Sequence, residues 1–141
     1  MKFECTWIEP SLVVVRTSGP ASAEGFNALF EELASQPGFG YGVRILSDHT
    51  NLDVSGLRAS DIEKIAEIRA RHTRSMGARS ALVVGLSAPA RYGLARMFEA
   101  YAGAEDDSVR VFETFDEALT WLRGSDTLAP PRPSSENGQT P

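Results

Sequence analysis

Acid, imidazole and hydroxyl crowd into one short stretch, RILSDHTNLDVSGLRASDIEK (residues 44–64). Asp48 and His49 close an apolar run, and Thr50, Asp53 and Ser55 follow at once. Asp48, His49 and Ser55 are the groups of serine hydrolysis, where the hydroxyl attacks, the imidazole takes its proton and the carboxylate orients the ring. No Gly-x-Ser-x-Gly elbow presents the serine, however, and neighbours in sequence seldom point at one another. A carboxylate at a strand end has a commoner task, closing the next turn through its own side chain. A hydrolase using His49 and Ser55 is therefore the least favoured reading, and a polar binding rim a better one.

A second stretch, GLSAPARYG (85–93), follows an apolar run and opens a helix. Free amides at such a position suit an anion. The Gly-Lys-Ser/Thr ending of a phosphate loop is missing, so nucleotide hydrolysis is not expected. Ser87 is expected to cap the helix, with Pro89 in its first turn. Arg91 and Arg96 flank the helix, either placed to turn towards a pocket above a sheet. GFGYG (38–42) precedes a strand instead of following one, which is the wrong context for a dinucleotide fingerprint and reads as a turn. The two histidines, His49 and His72, lie far apart, and no Cys/His spacing resembles a zinc site. Neither a metal nor another cofactor is called for. Arg69, Arg71, Arg74 and Arg79 gather around a helix C-terminus, where cations complement the macrodipole, so they read as a solvated helix end.

Alternating periods define the elements that carry these residues. Phe3, Cys5 and Trp7 mark one face of a strand over 2–8, and SLVVVRT (11–17) is its hairpin partner, ended by Gly19-Pro20. Phe26, Leu29, Phe30 and Leu33 form one helical face. The strand VRILSD (43–48) leads into a helix that Ser60 and Glu63 open as a capping box, with Ile62, Ile65, Ile68 and Met76 inward. SALVVG (80–85) reads as a strand buried on both faces. A helix with Ala90, Leu94, Met97, Phe98 and Tyr101 inward follows, then SVRVF (108–112), then a helix opened by Thr114 and Glu117. The order β-β-α-β-α-β-α-β-α predicts an α/β fold: a mainly parallel five-stranded sheet with an N-terminal antiparallel edge hairpin, layered by four helices.

Composition bounds the rest. The chain has 141 residues, 42% of them hydrophobic, enough for one domain with a real core. Residues 1–123 form the expected domain, and 124–141, rich in Pro, Ser and Gly, the expected flexible tail. A formal net charge of −5 argues against nucleic acid as a partner. One cysteine, Cys5, leaves no intramolecular disulfide and fits a reducing compartment. No window has the roughly 18 apolar residues of a spanning helix, and the N-terminus does not read as a signal peptide, so the cytoplasm is expected.

Three stretches taken in order resemble the SpoIIAA-like proteins, also labelled the STAS/SEC14 domain. They are ILSDHTN before a helix, SALVVGLSAPARYGLARMFEAY, and the closing VRVFETFDEALTWL. The resemblance covers residues 1–123. It implies the fold of anti-sigma-factor antagonists and of CRAL-TRIO lipid carriers, and it implies no particular activity. In the antagonists a partner kinase phosphorylates the first serine of an Asp-Ser-Ser-Gly-Leu motif. DVSGL (53–57) is similar, with Val54 at that serine and Ser55 at the second. The expectation is a non-enzymatic module with a rim at the C-terminal strand ends, made by Asp48, His49, Thr50, Asp53, Ser55, Ser87, Arg91, Tyr92 and Arg96. Its partner is a protein or, alternatively, a small apolar, lipid-like or anionic ligand. The hairpin edge at 2–8, around Trp7, is a possible homodimer surface.

Overall fold

A computed structural model describes residues 1–103 and 108–127. The element order is β1 (Lys2–Glu9), β2 (Leu12–Pro20), α1 (Ala23–Ala34), β3 (Arg44–Asp53), α2 (Ala59–Thr73), β4 (Arg79–Val83), α3 (Pro89–Gly103), β5 (Val109–Phe112) and α4 (Phe115–Thr127). The five strands lie in sequence order. β1 is antiparallel to β2, and β2 through β5 run parallel. This is the expected architecture. Helix α4 continues past Arg123 to Thr127, and the rest of the segment expected to be a tail lies outside the described residues.

Strand alternation sorts the core into two layers. Val13 and Val15 of β2, Ile45 of β3 and Leu82 of β4 face the layer of α1, α2 and α3. Leu12 and Val14, Leu46, Ala81 and Val83 face α4, which brings Ala118 and Leu122 against them. Both faces of the central strands are therefore covered, which explains their near-continuous apolar sequence. Helix α1 is opened by Ser22, whose hydroxyl accepts from the Gly25 amide at 2.9 Å, and buries the four residues its spacing marked. Thr114 opens α4 as expected, accepting from the Glu117 amide at 3.3 Å. At the N-terminal end of the sheet, Glu9 ties the hairpin turn to Arg44 at 3.8 Å and to Arg123 of α4 at 2.6 Å.

Several local expectations are corrected. Gly19-Pro20 does not break the strand but forms its last two residues, and both pair with β3, Pro20 opposite Asp53. Helix α2 starts two residues earlier than a Ser60 cap would place it, with Arg58 as its cap residue, and the Asp61 carboxylate accepts from the Arg58 amide at 2.9 Å. An acid two residues inside the first turn satisfies that donor, so Ser60 is left within the helix. Ser87 does not cap α3; it sits one residue further out in the left-handed region, φ 55°, and Ala88 directly precedes Pro89. Met76 lies beyond the end of α2. Ala90 and Tyr101 of α3 are exposed, not inward. Trp7 is half-buried and donates from Nε1 to Gln36 at 2.7 Å, so part of its face packs against the chain just beyond α1, while β1 stays at the edge of the sheet.

Candidate functional site

The stretch 48–53 is not a loop. β3 runs through it to Asp53, and an extra residue is accommodated on the way. Arg16 of β2 pairs with Asp48 and Ser18 with Asn51, so Thr17 alone stands opposite both His49 and Thr50. This is a β-bulge, which bends the strand and shifts the phase of its side chains. Asp48 closes it: one carboxylate oxygen accepts from the Thr50 amide at 3.1 Å and from the Thr50 hydroxyl at 2.8 Å. The expected short side-chain-to-backbone turn is present, but inside a strand. Before the bulge, Ile45, Ser47 and His49 point inward. After it, Leu52 and Val54 do, and Asn51 and Asp53 are left outside.

The bulge turns His49 inward. Its Nδ1 shares a hydrogen bond of 2.7 Å with the Thr17 hydroxyl, and its ring meets Phe26 edge-on, 5.6 Å between centroids. Burial holds the imidazole down to about 4, against an opposing pull from the Asp48 carboxylate. It is neutral at pH 7. Ser55 is on the exposed side, where its amide and hydroxyl both donate to Asp53, at 3.0 and 2.7 Å. Those two bonds lower the Asp53 pKa. His49 and Ser55 thus belong to separate hydrogen-bond groups, and the nucleophile–base bond that a hydrolase needs is not among those that either makes.

The remaining rim residues divide between two neighbouring places. Thr50 packs on the β4–α3 turn: a Cβ on Gly85 would lie 3.2 Å from the Thr50 methyl, and φ at Gly85 is 89°, so glycine is needed twice over. Arg91 comes back over this turn and donates from Nε to the Val84 carbonyl at 2.8 Å. Arg16 lies 3.7 Å from Asp48 on the opposite face, with its guanidinium over Phe115. Asp48, Thr50 and Arg91 are therefore brought beside the C-terminal end of β4, where Asp48 pairs with Val83. Ser87 and Tyr92 instead line an open groove of about 530 Å³ between the β4 and β5 ends, with Glu113 and Glu117 on its far side. Arg96 lies outside that groove, paired with Glu99 at 2.7 Å and donating to the Tyr92 hydroxyl. Leu86, in the same turn as Ser87, is 69% exposed and Tyr92 is 41% exposed.

Inward of the rim is a feature that residue types alone did not disclose. The three-helix face of the sheet holds a partly open cavity of about 70 Å³ with apolar walls from Phe26, Phe30 and Phe98. His49 and Ser47 form part of its floor, and Arg91 stands in its wall. Both floor residues are only half-buried, although they lie on the central strand beneath helices. Arg69 also lines it, 6% exposed, with Nε donating to Ser80 at 3.1 Å. That overturns the reading of Arg69 as part of a solvated helix end. A signal for it existed: positions 62, 65 and 69 share one helix face, and the arginine simply continues the isoleucine stripe. Ser47 and Ser80 were legible in the same way, as hydroxyls at inward positions of apolar strands.

No protein-family profile matches the chain, and no curated protein is similar to it in sequence. Solved structures do match. The anti-sigma factor antagonist SpoIIAA in its unphosphorylated form superposes with a TM-score of 0.56 over 87% of this chain and 97% of its own, at 16% identity. The chain has the SpoIIAA fold. The Bacillus cell fate determinant SpoIIAA in the phosphorylated form matches at 0.51, covering 86% of this chain and all of its own, at 15% identity. The SpoIIAA fold thus accounts for the strand order, the edge hairpin and the four-helix layering, which the quoted stretches implied. Among the described residues no helix is long and apolar enough to cross a membrane.

Proposed function

We propose that this protein is a non-enzymatic regulatory module that binds a partner protein at the C-terminal ends of its strands. The observation that carries the reading is the exposed Leu86, standing with Tyr92 beside the open groove between the β4 and β5 ends. A leucine at the tip of a polar turn adds nothing to the core, whereas a buried apolar anchor at the centre of a contact can dominate its affinity. The fold agrees with this reading, since a protein described as an anti-sigma factor antagonist shares it. Asp53 and Ser55, at the end of β3, complete the rim, with Val54 half-buried between them. A phosphoswitch at the first serine of the antagonist motif has no hydroxyl to act on here, so regulation by modification would fall on Ser55.

The test is affinity capture from the native host with the wild-type chain and with Leu86→Asp, followed by reconstitution with the purified partner. A partner held by the wild type and weakened at least about tenfold by the substitution supports the reading. Equal retention by both chains moves the contact elsewhere on the surface. A chain that brings down only a small-molecule adduct in native mass spectrometry removes the protein-partner reading.

A further inference from the structure

The cavity under the three-helix layer has a floor that is wrong for a solid core. Leu46 and Val83, on the α4 side of the same strands, are fully buried. On the cavity side, Ser47 and His49 keep partial exposure on the sheet's central strand. Ala95 and Leu94 of α3 are also half-buried at the same cavity. Small or polar side chains at these positions leave room that a leucine would fill. At roughly 10–15 Å³ for each water-sized occupant, a volume of about 70 Å³ takes a body of about five non-hydrogen atoms. An acyl chain of lipid length exceeds that volume.

The cavity also has a cation in its wall that is held but not neutralised. Arg91 is positioned by its Nε bond to the Val84 carbonyl, and no carboxylate among the described residues pairs with it. Its Nη2 passes 3.6 Å from the position a Gly85 Cβ would take, at the strand-end turn. Arg69, a second cation at the far end, is engaged away from this mouth, with the Ser80 hydroxyl among its partners. His49 adds no charge, because burial keeps it neutral. One fixed guanidinium above an apolar chamber selects a single negative charge on a short apolar body, and the planar fork matches a carboxylate.

We infer that this cavity binds a small monocarboxylate with a short branched or cyclic apolar body, its carboxylate on Arg91 and its body between His49 and the phenylalanines of α1 and α3. The site is separate from the surface of Leu86 and does not depend on the protein-partner reading. Binding in it would act on the strand end that carries the bulge, through His49.

Nuclear magnetic resonance of the intact chain tests it with three probes: isovalerate, isoamyl alcohol as its uncharged counterpart, and hexadecanoate. Isovalerate is expected to shift the amides of Ser47, His49 and Leu82 saturably at millimolar concentration. The alcohol should bind the same site about tenfold more weakly, as the loss of one charged hydrogen-bond pair implies, and hexadecanoate should leave those amides unmoved. Arg91→Gln should bring the acid down to the level of the alcohol and leave the alcohol unchanged. Ala95→Leu should abolish both. Absence of saturable shifts at those amides with isovalerate overturns the proposal, as does an alcohol that binds as well as the acid, or hexadecanoate binding there in its place. The acid-to-alcohol ratio is read on the wild type, so it stands even where Arg91→Gln does not fold.

Discussion

On the α4 side of the sheet, β3 and β4 present Leu46, Ala81 and Val83, and one helix closes over them with Ala118 and Leu122. On the other side the same two strands present Ile45, Ser47 and His49, then Ser80 and Leu82, and three helices close over them without filling the space. Even the cations differ in use. Arg79 and Arg110 lie against the Trp121 ring of α4, at 4.5 and 5.8 Å from its centre, so their charge is met by an aromatic face. Arg91 on the other side meets a backbone carbonyl and a cavity. The contrast separates two duties. A face that is packed to native density contributes stability, and a face that keeps polar groups and a void forgoes some of it for a site.

The contrast breaks first at truncation. Leu122→Ala, at a position with no solvent exposure, should cost about 2–5 kcal/mol in chemical denaturation. Leu94→Ala, at the half-buried cavity wall, should cost clearly less. Equal losses would mean that the two faces are equally packed. Acid is the next lever. His49 has an ordinary value of 6.5 that burial lowers to about 4, so between those values the unfolded chain binds the proton that the folded chain refuses. Stability is full above about pH 6.5, falls as pH drops towards about 4, and levels off below, a loss of up to ~3 kcal/mol. Water in the cavity that solvates the imidazolium would reduce it. Denaturation curves across that window should show the slope in the wild type and a flatter profile in His49→Leu. A slope unchanged by that substitution would remove His49 as its source.

Smaller effects sharpen the picture. Thr114→Ala removes the hydroxyl that accepts from the Glu117 amide and should cost about 1 kcal/mol, read as a drop in melting temperature. Because α4 covers its face alone, the loss should be global and not confined to a frayed end, which amide exchange can check. Ser55→Ala should leave the melting temperature alone. It should raise the Asp53 carboxyl towards its ordinary range in a proton titration, since the hydroxyl bond is one of the two that lower it.

Much of the architecture was legible because each element carried its own period. Phe26, Leu29, Phe30 and Leu33 needed no neighbour to be read as a helix face, and Val13 to Val15 none to be read as a buried strand. What could not be read was set by fits between elements. Asp61 serves the cap of α2 in place of Ser60 because the chain enters the helix two residues early, at Arg58, after a turn in which the Leu57 amide bonds the Val54 carbonyl. Ser87 falls one residue short of the cap, in a turn where both it and Gly85 adopt left-handed backbone. The candidate rim suffered most. Its nine residues are expected on two successive loops of one rim, yet His49 faces the cavity, Ser55 faces solvent, and Arg96 lies on an outer helix face with Glu99. The cavity itself depends on the summed volumes of side chains from α1, α2, α3 and the sheet, which no local window contains.

The bulge opposite Thr17 sets a parity on this part of the chain. Remove Thr50, and the bulge closes: Thr17 faces His49 alone, Asn51 and Asp53 stay outside, and Leu52 and Val54 stay under the helices. Remove Asn51 as well, and the alternation slips, so that Leu52 and Val54 turn out to water. One residue between His49 and Asn51 can therefore be lost without moving the wall of the cavity, and a second cannot. A family of chains sharing this cavity would keep the phase of β3 after His49 even where it does not keep the bulge.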